Sequence, residues 1–176
     1  TTSCSLSASD FAGWTAKNFQ DGFLAKLSSS GTVLDWYAYI DYPSASRITD
    51  IDLDAGGNIY LNSDIHGAQT YLEIIKVSPN GTLLWERAFG IDETNGQYNG
   101  TNVDVIGNAV YLSGRAGLTD GYTYVDFQFG DGMFLKYDLD GNLLDKYFYF
   151  TGTSNTDMAA DWVKGIIEYN GKIYLG

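Results

Sequence analysis

The chain has 176 residues and a formal net charge of −12, with ten Lys and Arg against 22 Asp and Glu. That balance excludes a nucleic-acid footprint and a polybasic membrane anchor, both of which need clustered positive charge. No apolar run approaches the roughly 18 residues of a transmembrane helix; aromatics at 15% and 21 Gly against two Pro favour strands joined by tight turns.

In chain order, residues 1–22 read as the tail of a preceding unit, ending in Phe19-Gln20-Asp21-Gly22. No signal-peptide core is present, so either a signal was removed or the chain starts inside a longer protein. The single cysteine, Cys4, has no Lys, Arg or His beside it and reads as an inert thiol. A first unit, 23–66, carries Phe23-Leu24-Ala25-Lys26-Leu27, then Ser30-Gly31-Thr32-Val33-Leu34-Asp35-Trp36, and closes with Asn58-Ile59-Tyr60-Leu61. A second, 67–114, repeats this as Glu73-Ile74-Ile75-Lys76-Val77, Asn80-Gly81-Thr82-Leu83-Leu84-Trp85 and Ala109-Val110-Tyr111-Leu112. After a linker, 115–132, a third unit, 133–176, reads Met133-Phe134-Leu135-Lys136-Tyr137, Asp140-Gly141-Asn142-Leu143-Leu144-Asp145 and Lys172-Ile173-Tyr174-Leu175.

Each unit parses as four strands, with the third unit's at about 133–139, 143–150, 162–169 and 172–175. Gly31, Gly81 and Gly141 mark one hairpin turn, and Asn170-Gly171 marks another, because such turns need positive φ. Four strands at a period of about 50 residues is a blade signature. The expectation is therefore an all-β, β-propeller-like chain of about three four-stranded antiparallel blades with little helix. Three is fewer than the roughly four to eight blades that usually close. The chain thus reads as a partial propeller or an excerpt of a larger one. Its expected partners are other parts of a longer parent chain or other protein subunits.

The pattern Asp-Gly-Phe-Leu-Ala-Lys-Leu, a Gly turn, Val-Leu or Leu-Leu and a Gly-Asn-x-Tyr-Leu strand resembles the bacterial SBBP-type β-propeller repeat. Ser7-Ala8-Ser9-Asp10-Phe11 resembles that repeat's linker. The resemblance implies a secreted or cell-surface location and an adhesive or scaffolding role. The 115–132 linker and Asp145, where the second unit has Trp85, depart from it. The Gly81-to-Trp85 element also resembles blades of pyrroloquinoline quinone enzymes, but no basic, metal-binding pocket accompanies it, so Trp85 reads as a packing residue.

Candidate chemistry is sparse. His66 is the sole histidine, so any Ser-His-Asp scheme must use it, and its place beyond a strand end reads as a solvated loop. One His and one Cys cannot supply a four-ligand zinc site. Asp50, Asp52 and Asp54 alternate with Ile51 and Leu53, placing the carboxylates on one strand face as candidate calcium ligands or as part of a half-exposed strand. Asp138 and Asp140 form a second calcium-like run, though hairpin geometry explains that one better. Lys26, Lys76 and Lys136 recur once per unit and read as structural, stem packed and amine on a carboxylate or carbonyl. Asn80 and Asn99 begin glycosylation sequons in predicted turns or loops. Trp14, Tyr122, Tyr124, Phe127 and Phe129 are candidate binding aromatics, suited to sugar stacking or to packing between blades.

The expectation is a non-enzymatic extracellular or cell-surface module for adhesion, ligand binding or assembly, with carbohydrate among its candidate ligands and no cofactor. The alternative is a propeller enzyme acting on a carbohydrate, which a cluster of acids with one perturbed pKa in a central pocket would favour.

Overall fold

A computed structural model describes residues 22–40, 45–66, 70–90, 97–117, 131–149 and 162–176. The described residues are all-β, with twelve strands and no helix: β1 (Gly22–Leu27), β2 (Leu34–Ile40), β3 (Ala45–Leu53), β4 (Ile59–His66), β5 (Thr70–Val77), β6 (Leu83–Phe89), β7 (Gln97–Ile106), β8 (Ala109–Gly117), β9 (Asp131–Asp138), β10 (Leu143–Tyr149), β11 (Ile166–Tyr169) and β12 (Lys172–Leu175).

Two antiparallel meanders, β3-β4-β5-β6 and β7-β8-β9-β10, form one mixed eight-stranded sheet. They are joined by a single parallel bridge, Thr70 to Gln97. Hairpins β1-β2 and β11-β12 are separate two-stranded sheets. The hydrogen bonds therefore group strands across the sequence units, because β4 pairs directly with β5 and β8 with β9. Among the described residues no closed ring of sheets forms.

Apolar alternation is lost where faces are covered twice. β8 is buried along its whole length, and β4 and β5 nearly so, whereas the outer strands β6 and β10 are mostly exposed. A strand with packing on both faces reads as a continuous apolar run. The main core joins the two meanders, with Tyr60, Leu72 and Ile74 of one against Val103, Leu112, Met133 and Leu135 of the other. Each such side chain contributes roughly 1.5–3 kcal/mol of burial. A second core sets Leu24 and Trp36 of the first hairpin on Leu61, Ile75 and Val77. A third sets Ile166, Ile173 and Leu175 of the last hairpin on Tyr111 and Phe134.

The recurring lysines explain how neighbours lock. Lys26 Nζ and Trp36 Nε1 both donate to the Pro79 carbonyl, at 3.4 and 3.2 Å. One unit later, Lys76 Nζ and Trp85 Nε1 both donate to the Leu139 carbonyl, at 2.9 and 3.3 Å. Each receiving turn ends in a glycine with positive φ, Gly81 (85°) and Gly141 (84°). An added Cβ there would lie 3.0 and 3.1 Å from the clasping indole, so glycine is required for conformation and for clearance.

Candidate functional site

Strands alternate in direction, so the tight turns at 28–33, 54–58, 78–82, 107–108, 139–142 and 170–171 gather at one end. The opposite strand ends lead into the connections outside the described residues. A polar seam crosses that opposite end. Asp64, fully buried in the middle of β4, accepts from Arg47 Nη2 at 2.5 Å and from the Gly100 amide at 2.5 Å. His66 Nε2 lies 3.9 Å from the same carboxylate. Burial pushes the Asp64 pKa up, opposed by the Gly100 and Arg47 hydrogen bonds.

The seam continues through Asn99, whose Oδ1 accepts from Arg115 at 3.4 Å. Arg115 is itself buried and its guanidinium lies 4.5 Å from the Trp162 ring centre. Burial lowers its pKa. Lys164 lies on the same ring at 5.6 Å, and Trp162 keeps 39% exposure. Two glycines allow this closeness. A Cβ at Gly100 would meet Asn62 Oδ1 at 2.2 Å, and one at Gly114 would meet the Asn99 carbonyl oxygen at 2.1 Å. The arrangement presents cations and one indole on an otherwise acidic chain, which suits anionic or hydroxyl-rich ligands.

The expected acids serve other duties. Asp50 and Asp52 point from β3 at β7, where they accept from the Val103 and Val105 amides at 2.9 and 2.7 Å. The two faces of β3 are accordingly inverted: Ile51 and Leu53 are 53% and 57% exposed, while the carboxylates are half-buried. Asp104, opposite them, has its pKa raised by burial and then by Asp52 and Asp50. Asp54 organises its own turn, accepting from the Gly56 and Asn58 amides, Asn58 Nδ2 and Tyr60 Oη. Asp138 does the same with the Asp140 and Asn142 amides and Asn142 Nδ2. Asp140 is exposed in that turn. Among the described residues no group of three or more His, Cys, Asp or Glu side chains is placed to hold a metal ion.

Asn80 is exposed in its turn, with Ser78 and Thr82 hydroxyls on its Oδ1. Asn99 corrects the expectation of a turn: it lies in β7, only 5% exposed and held by Arg115. Cys4, Trp14, Tyr122, Tyr124, Phe127 and Phe129 lie outside the described residues. A separate cavity of about 320 Å³ lies between the first hairpin and β4–β6, lined mainly by the apolar Leu24, Ile40, Leu61, Ile75 and Val77, with Tyr39 and Glu86 as its polar side chains.

Sequence reasoning passed over Arg47, Asp64, Arg115 and Trp162. The signal for Asp64 was available in Asn62-Ser63-Asp64, three polar residues in succession between apolar strand residues. No family model matches the chain, and no curated protein matches it.

Proposed function

We propose that the chain is a non-enzymatic, β-propeller-like module of an extracellular or cell-surface protein, of the kind built from SBBP-type repeats. In this reading it binds ligand or partner through the end opposite its tight turns. The observation that carries the reading is the repeated clasp, in which Lys and Trp of one repeat hold the glycine turn of the next. A clasp used twice in the same way supports blades stacked face to face at a fixed offset. A rigid scaffold with short turns at one end leaves variation to the connections at the other. Arg47, His66, Lys164 and Trp162 make carbohydrate, acidic sugars in particular, the favoured ligand class.

The second reading, a propeller enzyme acting on a carbohydrate, draws support from Asp104 raised beside Asp50 and Asp52. Against it, Asp50 and Asp52 are both engaged by β7 amides. One experiment separates the readings. The chain is titrated calorimetrically against a panel of neutral and acidic polysaccharides, with product release followed in the same samples. Binding without new reducing ends, weakened about tenfold by Trp162→Ala, is the expected result. New reducing ends that vanish in Asp104→Asn would establish the enzyme, and no binding to any member would remove carbohydrate as the ligand.

A further inference from the structure

Asn-Gly occurs four times in the sequence, at 80–81, 95–96, 99–100 and 170–171. The pair at 95–96 lies outside the described residues, and the other three stand in three different settings. The dipeptide has a chemistry of its own. With no side chain on the glycine, its amide nitrogen can come close to the side-chain carbonyl carbon of the asparagine before it.

Two of the pairs are locked. Asn80 Oδ1 accepts from the Ser78 and Thr82 hydroxyls, and the Gly81 amide donates to the Ser78 carbonyl at 3.0 Å. The Trp36 indole lies 3.0 Å from the Cβ position of Gly81, so this peptide has no room to swing. Asn99 is 5% exposed inside β7, with its Oδ1 held by Arg115. The ladder sets Asn99 opposite Arg115 and Gly100 opposite Gly114. The Gly100 amide does meet a carboxylate, Asp64 Oδ1, at 2.5 Å, but the strand keeps that nitrogen in extended backbone.

The third pair combines freedom with a base. Asn170 and Gly171 form the exposed two-residue turn between β11 and β12. Asn170 has a φ of 52°, the only positive value at a non-glycine among the described residues, in a region that strains any residue with a Cβ. A Cβ at Gly171 would meet nothing within 4 Å, so the turn has room to rotate out of that strain. The Gly171 amide donates to Glu168 Oε1 at 2.5 Å. A carboxylate at hydrogen-bond distance from a proton is placed to take it.

We propose that Asn170-Gly171 is a site of spontaneous covalent modification, with Glu168 as its general base. The Gly171 nitrogen attacks Asn170 Cγ. The new N–Cγ bond forms as the Cγ–Nδ2 bond breaks. The proton leaves the Gly171 nitrogen for Glu168 Oε1 and passes on to Nδ2, so ammonia departs and a five-membered succinimide remains. Water then adds to either ring carbonyl, and opening gives aspartate or isoaspartate. No electrons are exchanged, and water is the only co-reactant. Each event puts a carboxylate two residues from Glu168 in place of a neutral amide. The isoaspartate product also lengthens the main chain inside a hairpin whose register sets Tyr169 opposite Lys172.

The test incubates the whole 176-residue chain at neutral pH and maps its peptides by mass spectrometry over time. The Asn170→Asp chain supplies the marker for the aspartate product. Asn170 is expected to convert at least about tenfold faster than Asn80 or Asn99, both of which must open locally first. Glu168→Gln, which keeps an acceptor for the Gly171 amide but cannot take its proton, is expected to slow Asn170 about tenfold. The same substitution is expected to leave Asn80, Asn99 and the circular dichroism spectrum unchanged. In urea the three sites are expected to react alike, which assigns the difference to the fold. Equal rates in the folded chain overturn the proposal, as does an Asn170 rate indifferent to Glu168→Gln. An advantage for Asn170 that persists in urea overturns it as well, because local sequence and not the turn would then be the cause.

Discussion

Val103 and Ile51 occupy the same place in two successive meanders, and their surroundings differ almost completely. Val103 on β7 packs against Tyr60, Leu72 and Ile74 of the meander before it. Ile51 on β3 looks out past a two-stranded hairpin that covers β4, β5 and, on β3, only the Ser46–Ile48 end. The local sequence is equally apolar in both. Burial at this position is therefore a property of the neighbouring repeat, as expected where each unit cannot bury its own face alone.

The sharpest test of that comparison is a charge at each position. Val103→Asp buries an unpaired carboxylate in the main core, a change expected to cost about 3 kcal/mol or more and to abolish a cooperative urea transition. Ile51→Asp in dilute single chains is expected to shift stability by under about 0.5 kcal/mol. Equal effects at the two sites would break the comparison. Glycines give the next contrast. A Cβ at Gly114 meets the Asn99 carbonyl oxygen at 2.1 Å, whereas one at Gly165 meets nothing within 4 Å. Gly114→Ala should cost about 3 kcal/mol in chemical denaturation, since backbone cannot yield as a side chain does, and Gly165→Ala close to nothing. The clasps come third. Trp85 adds an edge contact with Tyr60 at 5.9 Å to its bond with Leu139 and its cover of Gly141. Trp85→Ala is expected to lose about 2–4 kcal/mol and Trp36→Ala less, measured as urea midpoints, and the reverse order would place the stronger seam at the first hairpin.

The strands and their turns were legible in the sequence because positive-φ glycines and Asn-Gly are local requirements. Gly31, Gly81, Gly141 and Asn170-Gly171 all stand at hairpin turns with positive φ. The recurring lysines were legible as structural for the same reason that any once-per-unit residue is, and the carbonyls they meet bear this out at Lys26 and Lys76. Pairing between units was not legible. Which strand lies beside β4 depends on long-range contacts, and the sequence repeat is unchanged if its phase is shifted by two strands. The side of β3 that faces inward was also hidden, since an alternating Asp-Ile-Asp-Leu run has two faces and only β7 decides between them. Asp64 escaped notice because its partners, Arg47 and Gly100, come from other strands.

The smallest expected effect separates the two kinds of turn. The turns at Asp54 and Asp138 use a carboxylate to hold the amides two and four residues on, while those at Ser28 and Ser78 use a hydroxyl for the amide that closes the loop. At Asp54, burial raises the pKa, but hydrogen bonds from Asn58, Gly56 and Tyr60 outweigh it and hold the carboxyl below its ordinary value. At Asp138 the Asn142 side chain and amide lead the same downward shift. A carboxyl whose folded pKa is depressed binds its proton less readily in the folded chain than in the unfolded one. The stabilisation is therefore complete above the ordinary carboxyl pKa of about 4 and is lost as the pH falls through the lower folded value. Asp54→Asn should cost about 1–2 kcal/mol near neutrality, and the doubly substituted chain, with Asp138→Asn, should lose less further stability between pH 4 and pH 2 (about one protonation range) than the parent does. Thermal unfolding followed across that interval checks this. Parallel curves for parent and variant would show that the aspartate turns draw nothing from their charge, and that the two kinds of turn are energetically alike.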